Sequence, residues 1–167
     1  MAIPGTEIDF EIEKEDWNVY NLDDGTILKM RSVLTRIVSA PMPIQIVPQQ
    51  QKDRSQSTPD LSFNSSFNNI VVVQKSPIGL MGSPQEPPYD FEGSDKIEVG
   101  YTAFKEDWNI YRISGVGIPK GFKMRVKLVV SSISRVIGLH DQFGYPIYIV
   151  NSTNAVVPVA PSPPRRR

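Results

Sequence analysis

Two seven-residue segments carry most of the chain's chemically interesting side chains. Lys14-Glu15-Asp16-Trp17-Asn18-Val19-Tyr20 returns as Lys105-Glu106-Asp107-Trp108-Asn109-Ile110-Tyr111, and between them they hold the only two tryptophans. Carboxylates contributed by two related segments can share a proton at a pseudo-two-fold axis, or bind calcium or magnesium through their oxygens. Glu15, Asp16, Glu106 and Asp107 are the candidates for either role. The Asp-Thr/Ser-Gly pattern of the paired-aspartate proteases is missing. Asp24-Gly25-Thr26 has the wrong order, and Ser114-Gly115-Val116-Gly117 has no carboxylate. The simpler expectation is structural. The acidic residues turn or cap the chain, and Trp17 and Trp108 anchor a core. An adjacent Asn18, Asn109, Asp16 or Asp107 would satisfy each indole N–H, and Tyr20 and Tyr111 would complete the motif.

The charges are segregated along the chain. From Glu7 to Asp24 there are eight carboxylates against one lysine. From Trp108 to Ile137 there are six basic residues and no acidic one. Arg112, Lys120, Lys123, Arg125 and Lys127 form the candidate interaction face, with the last three in a row on one strand face. Such a stripe could follow a phosphate backbone, with Phe143 or Tyr148 stacking on a base. It could equally meet the acidic strand of a neighbouring subunit. The bland alternative is a solvated face whose lysines discourage edge-to-edge aggregation.

Other chemistry is sparse. There is no cysteine and a single histidine, His140, so disulfides, thiolate catalysis and cysteine- or histidine-rich metal sites are excluded. Asp141 follows His140, but no motif places a nucleophile beside them. Gly115-Val116-Gly117-Ile118-Pro119-Lys120-Gly121 lacks the spacing of a phosphate-binding loop and reads as a long hairpin turn. No cofactor and no metal is expected. Eighteen basic and eighteen acidic residues cancel, so net charge gives no prior for nucleic acid or an anionic membrane. No run approaches the roughly 18 apolar residues of a membrane-spanning helix. The first residues turn acidic without a basic, apolar leader, which makes a cytoplasmic location the default expectation.

The elements that must position these residues read as strands. Ile8, Phe10 and Ile12 alternate with Asp9, Glu11 and Glu13, and Ile97, Val99, Tyr101 and Ala103 would form the inner face of the matching strand. Phe122, Met124, Val126, Leu128 and Val130 alternate with Lys123, Arg125 and Lys127. Asp24-Gly25 and Asp141-Gln142-Phe143-Gly144 mark turns between apolar runs. Ser131 to Leu139, the nearest thing to a helix, is rich in β-branched residues and serine, and strand is expected there.

Further blocks repeat in the same order. Lys29-Met30-Arg31 matches Lys123-Met124-Arg125, and Ser32–Val38 resembles Ser131–Ile137. Pro43–Val47 resembles Pro146–Val150, and Asn69–Val73 loosely matches Asn154–Val159. The expected fold is therefore all-β. Internally duplicated antiparallel strands would form a barrel- or sandwich-like domain of two similar halves, with little or no helix. The first β repeat spans 6–82 with a mobile polar insertion at 48–62, and a Pro-rich linker occupies 83–94. The second repeat spans 95–160, and 161–167 is a disordered Pro/Arg tail. Two small barrels joined by the linker are the architectural alternative. In that tail, Pro161 and Pro164 followed by Arg166 have the spacing of a Pro-rich ligand for an aromatic groove.

The expected function is a non-catalytic β-structured binding or assembly module, with a protein partner or self-association. The alternative is a nucleic-acid-associated β protein using the basic face. A carboxylate- or metal-dependent enzyme is third. No membrane association is expected.

Overall fold

The computed structural model describes residues 5–39 and 63–162. The expected insertion at 48–62, the Pro43–Val47 block and the last five residues of the tail lie outside them. Among the described residues there are nine strands and one 3₁₀ turn, Ile78–Leu80, with no α-helix. The strands are β1 (Asp9–Lys14), β2 (Asn18–Leu22), β3 (Ile27–Ser39), β4 (Phe63–Lys75), β5 (Lys96–Glu98), β6 (Tyr101–Lys105), β7 (Asn109–Ser114), β8 (Lys123–His140) and β9 (Pro146–Val159). The protein is all-β, and Ser131–Leu139 is the distal half of β8.

Glycine sets both short hairpin turns. Gly25 between β2 and β3 and Gly144 between β8 and β9 have φ of 90° and 84°. Each N–H bonds the carbonyl three residues back, Leu22 or Asp141. A type I turn closed by a left-handed glycine gives this geometry, and a side chain at either glycine would strain it.

Two antiparallel sheets result. One has the order β4-β3-β2-β6; the other runs β1-β7-β8-β5, with β9 also on β8. Neither closes on itself, so the arrangement is two open sheets rather than a barrel. The leading strands cross between them. Glu7 bridges Val38, and the Ile8 N–H donates to the Ile37 carbonyl at 2.9 Å, both on β3. The chain then passes to the other sheet, where β1 pairs with β7, Phe10 opposite Ile113. In the same way β5 lies on β8, and the Val99 N–H donates to the Ile133 carbonyl at 2.8 Å. β6 then crosses to β2, Tyr101 opposite Leu22.

This crossing builds two apolar clusters, each drawing on both ends of the chain. One contains Ile8, Leu34 and Ile37 with Tyr111, Ile113, Phe122, Met124 and Val126. The other contains Tyr20, Leu22, Leu28 and Met30 with Val99, Leu128, Ile133 and Tyr148. Each long strand serves both clusters. β3 sends Leu28 and Met30 to one and Leu34 and Ile37 to the other, and β8 divides likewise. Segments 6–82 and 95–160 therefore do not enclose separate cores.

Four details differ from the sequence expectation. Trp17 and Trp108 are half-buried and belong to neither cluster; the fully buried rings are Tyr20 and Tyr111. Along the crossing strands only Ile8 and Val99 are buried, while Ile12 and Ile97 are 55% and 46% exposed and Ala103 is exposed. The alternation fails there because each strand leaves its cluster to lie at the rim of the other sheet. Ile37 corresponds to Ile133, since each accepts the leading strand's N–H, and not to Val136 as the serine-arginine match suggested. Finally, Leu28 sits opposite Tyr20 as Met124 sits opposite Tyr111, so the counterpart of Met124 is Leu28 and not Met30 as the lysine-methionine-arginine match suggested. In that register Asn69, opposite Ser32, and Asn154, opposite Leu128, occupy equivalent places.

Candidate functional site

The two repeated motifs meet where the crossing strands end. Lys14 Nζ lies 2.9 Å from Asp107 Oδ2, and Lys105 Nζ 2.5 Å from Asp16 Oδ2. Asn109 Oδ1 accepts the Asp16 N–H at 3.2 Å, and Asn18 Oδ1 accepts the Asp107 N–H at 3.3 Å. The Tyr111 hydroxyl donates to Glu15 at 2.7 Å, and the Tyr20 hydroxyl to Glu106 at 3.1 Å. Arg31 and Lys127 supply a cation to Glu15 and Glu106, each at 3.1 Å. All eight anchor-motif residues, Asp16, Trp17, Asn18 and Tyr20 with Asp107, Trp108, Asn109 and Tyr111, thus lie in one reciprocal clasp.

Its electrostatics are those of a structural joint. The hydrogen bond from Lys105 and then the Trp17 N–H hold the Asp16 carboxyl below the ordinary value; Lys14 does the same for Asp107. Burial, reinforced by Glu106 or Glu15, pushes the Tyr20 and Tyr111 hydroxyls well above the usual phenol range. Neither tyrosine is poised to trade protons near neutrality. Each clasp carboxylate has its own cation, and among the described residues no group of three His, Cys, Asp or Glu side chains could hold a metal ion. The tryptophans face outward under cations. Lys29 lies 5.0 Å from the Trp17 ring and Arg125 4.6 Å from the Trp108 ring.

The basic face is matched inside the chain. Because β1 lies along β7, Glu11 pairs with Arg112 at 2.7 Å and Glu13 with Lys123 at 2.9 Å. Lys127 pairs with Glu106, and Arg125 stacks on Trp108. Of the five candidate residues, Lys120 alone has neither an ion pair nor a ring contact among the described residues. The acidic strand that sequence reasoning offered to a neighbouring subunit meets the basic stripe within one molecule.

One polar network escaped the sequence reading. Asp24, in the β2–β3 turn, accepts from the Tyr148 hydroxyl at 2.6 Å, the Thr26 N–H at 3.0 Å and Arg135 at 2.9 Å. The Thr26 hydroxyl lies 2.7 Å from that of Tyr148. Burial alone would raise the Asp24 carboxyl, but Tyr148, Thr26 and Arg135 together hold it below its ordinary value. Burial and Asp24 push Tyr148 upward. Asp24-Gly25 reads as a turn in sequence, and nothing local marks Arg135 or Tyr148 as its partners.

The surface least satisfied by the chain's own contacts lies on the outer strands. In backbone pairing β4 and β9 each have one neighbour among the described residues, β3 and β8 respectively, and they touch each other through the Asn69 side chain, which bonds Ser152 and Asn154 at 3.4 Å. They are 13 and 14 residues long. β9 contains no charged residue, and β4 only the terminal Lys75. Ile70, Val71 and Val72 on β4 and Val156, Val157 and Val159 on β9 are all exposed. Among the described residues no helix is long and apolar enough to cross a membrane. No family model, curated protein or solved structure matches the chain.

Proposed function

We propose that this chain is a non-catalytic, internally duplicated β module that assembles with copies of itself by adding strand to strand along β4 and β9. The observation behind this is the pair of long outer strands with a single charge between them, the terminal Lys75. A strand at a sheet edge presents a row of backbone donors and acceptors, and folded proteins normally protect such edges with lysines, short length, bulges or a cover. Here the exposed valines would be buried by a partner strand, and its backbone would complete the ladder. Pro158 lacks a backbone N–H, so pairing on β9 runs over the residues before it. Charge is spent elsewhere, on the clasp and on the β1–β7 ion pairs, where it holds the molecule together internally.

Light scattering from dilute to concentrated solution tests the proposal. Association that grows with concentration is expected for the wild type. It should fall by about ten-fold or more in affinity in an Ile70→Glu, Val157→Glu double variant. Each new carboxylate lies opposite an arginine, Arg31 or Arg125, so the fold tolerates it. A wild type that stays monomeric at high concentration contradicts self-association.

A further inference from the structure

We infer that the segment Pro161–Arg167 of one copy docks into an aromatic groove on the next copy, giving a directional, head-to-tail contact. The inference rests on the self-association proposed above and concerns a groove that adjoins the outer strands, sharing Val71 and Val72 with β4. An open groove of about 610 Å³ lies between the end of β4 and the β8–β9 hairpin. Tyr89 and Phe91 form one wall, their ring centroids 5.9 Å apart and inclined at 51°. Phe143, Tyr145 and Ile147 line the hairpin side, and the Phe143 ring is 69% exposed.

The rim is acidic. Asp141 lines the groove, and the segment Gln85–Asp95 that carries Tyr89 and Phe91 has four carboxylates and no basic residue. None of these five carboxylates is ion-paired among the described residues. Aromatic walls beside carboxylates suit a proline-rich segment flanked by arginine. Proline rings pack on aromatic faces, and the guanidinium meets the acid. Pro161-Ser162-Pro163-Pro164-Arg165-Arg166-Arg167 has that composition. In a polyproline helix of three residues per turn, Pro161 and Pro164 fall on one face.

Length decides whose segment it is. β9 begins at Pro146, in the groove, and ends at Val159, beside Lys123. At a strand rise of about 3.3 Å per residue the two lie about 40 Å apart. Residues 160–167, fully extended, reach only about 28 Å. The hairpin end of the groove, at Tyr145 and Pro146, is therefore out of reach of its own chain's segment, so an occupant of that end comes from another copy. Such a contact is heterologous, so it propagates into a ring or an open chain.

Two full-length variants test it, Phe143→Asp in the groove and Arg165→Glu/Arg166→Glu/Arg167→Glu in the segment. Each alone should associate about ten-fold more weakly than wild type in sedimentation velocity. Mixed in equal amounts they should form heterodimers, because each keeps the half the other lacks. A synthetic peptide of residues 160–167 should also weaken wild-type association, less so at high salt. Wild-type behaviour in both variants would overturn the inference. So would loss in both without recovery on mixing, or a peptide without effect. If the edge variant nevertheless associates poorly, the strand-addition proposal survives alone; a monomeric wild type sinks both.

Discussion

β1 and β6 differ from β4 and β9 in the way an interior joint differs from an open face. Four of the six residues of β1 are charged, and its Glu11, Glu13 and Lys14 are ion-paired to the other half of the chain. β9 has no charge in fourteen residues and is exposed along its second half. Both kinds of strand lie at sheet edges, yet only β1 carries a row of the charges that usually discourage pairing, while β6 and β4 each have a single terminal lysine. The contrast teaches that charge here specifies which strand crosses where, while the outer strands are left fit to be covered. Stability should accordingly depend on the crossing and its two clusters, and association on the outer strands.

The largest effect should come from the clusters themselves. Met30 and Met124 are both fully buried, one in each cluster. Met30→Ala and Met124→Ala should each cost about 2–5 kcal/mol in urea unfolding. A large cost in one and none in the other would break the equivalence of the clusters. Next comes the Asp24 network, which only one cluster has. Asp24→Asn should cost about 1–3 kcal/mol at neutral pH. Because the Asp24 carboxyl is depressed in the folded state, its contribution is present above the unfolded value near 3.8. It is lost as pH falls through the lower folded value. The gap between wild type and Asp24→Asn should therefore close in acid; a gap that widens there would refute the assignment.

The exposed part of the clasp matters less. Removing the Lys105–Asp16 pair with Lys105→Met should lower Tm by no more than about 3 °C at low salt. The difference should shrink at about 1 M salt, where the Debye length falls to about 3 Å and the pair is partly screened. The smallest stability change belongs to the outer strands. Ile70→Glu with Val157→Glu should leave unfolding free energy within about 0.5 kcal/mol per site while reducing association. A variant that lost stability and association together would blur the division between the two regions.

Much of the fold could be read from residue types. Period-two alternation marked β1 and β8, and the two turns read from Asp24-Gly25 and Asp141–Gly144 lie where Gly25 and Gly144 adopt positive φ. The repeated motif singled out Asp16, Asn18, Tyr20 and their later matches as a set. Alternation says which face of a strand a side chain takes but not which strand lies beside it. The crossing of β1 to β7 and β6 to β2 was thus invisible. For the same reason the acidic strand and the basic stripe looked available to partners, although Glu11 and Arg112 pair with each other. Trp17 and Trp108 misled because an indole under a cation on an outer face has the same local sequence as one in a core. Asp24, Arg135 and Tyr148 come together only through tertiary structure. The outer strands could be recognised only once their neighbours were known.

Hydrogen exchange read by mass spectrometry, from dilute to concentrated protein, tests most directly whether the outer strands pair with another copy. Amides within Phe63–Lys75 and Ile147–Val157 should become protected as concentration rises, while those of Asn18–Leu22 and Asn109–Ser114 stay unchanged. Exchange in both outer strands that is independent of concentration, in a sample that nonetheless associates, would contradict strand addition.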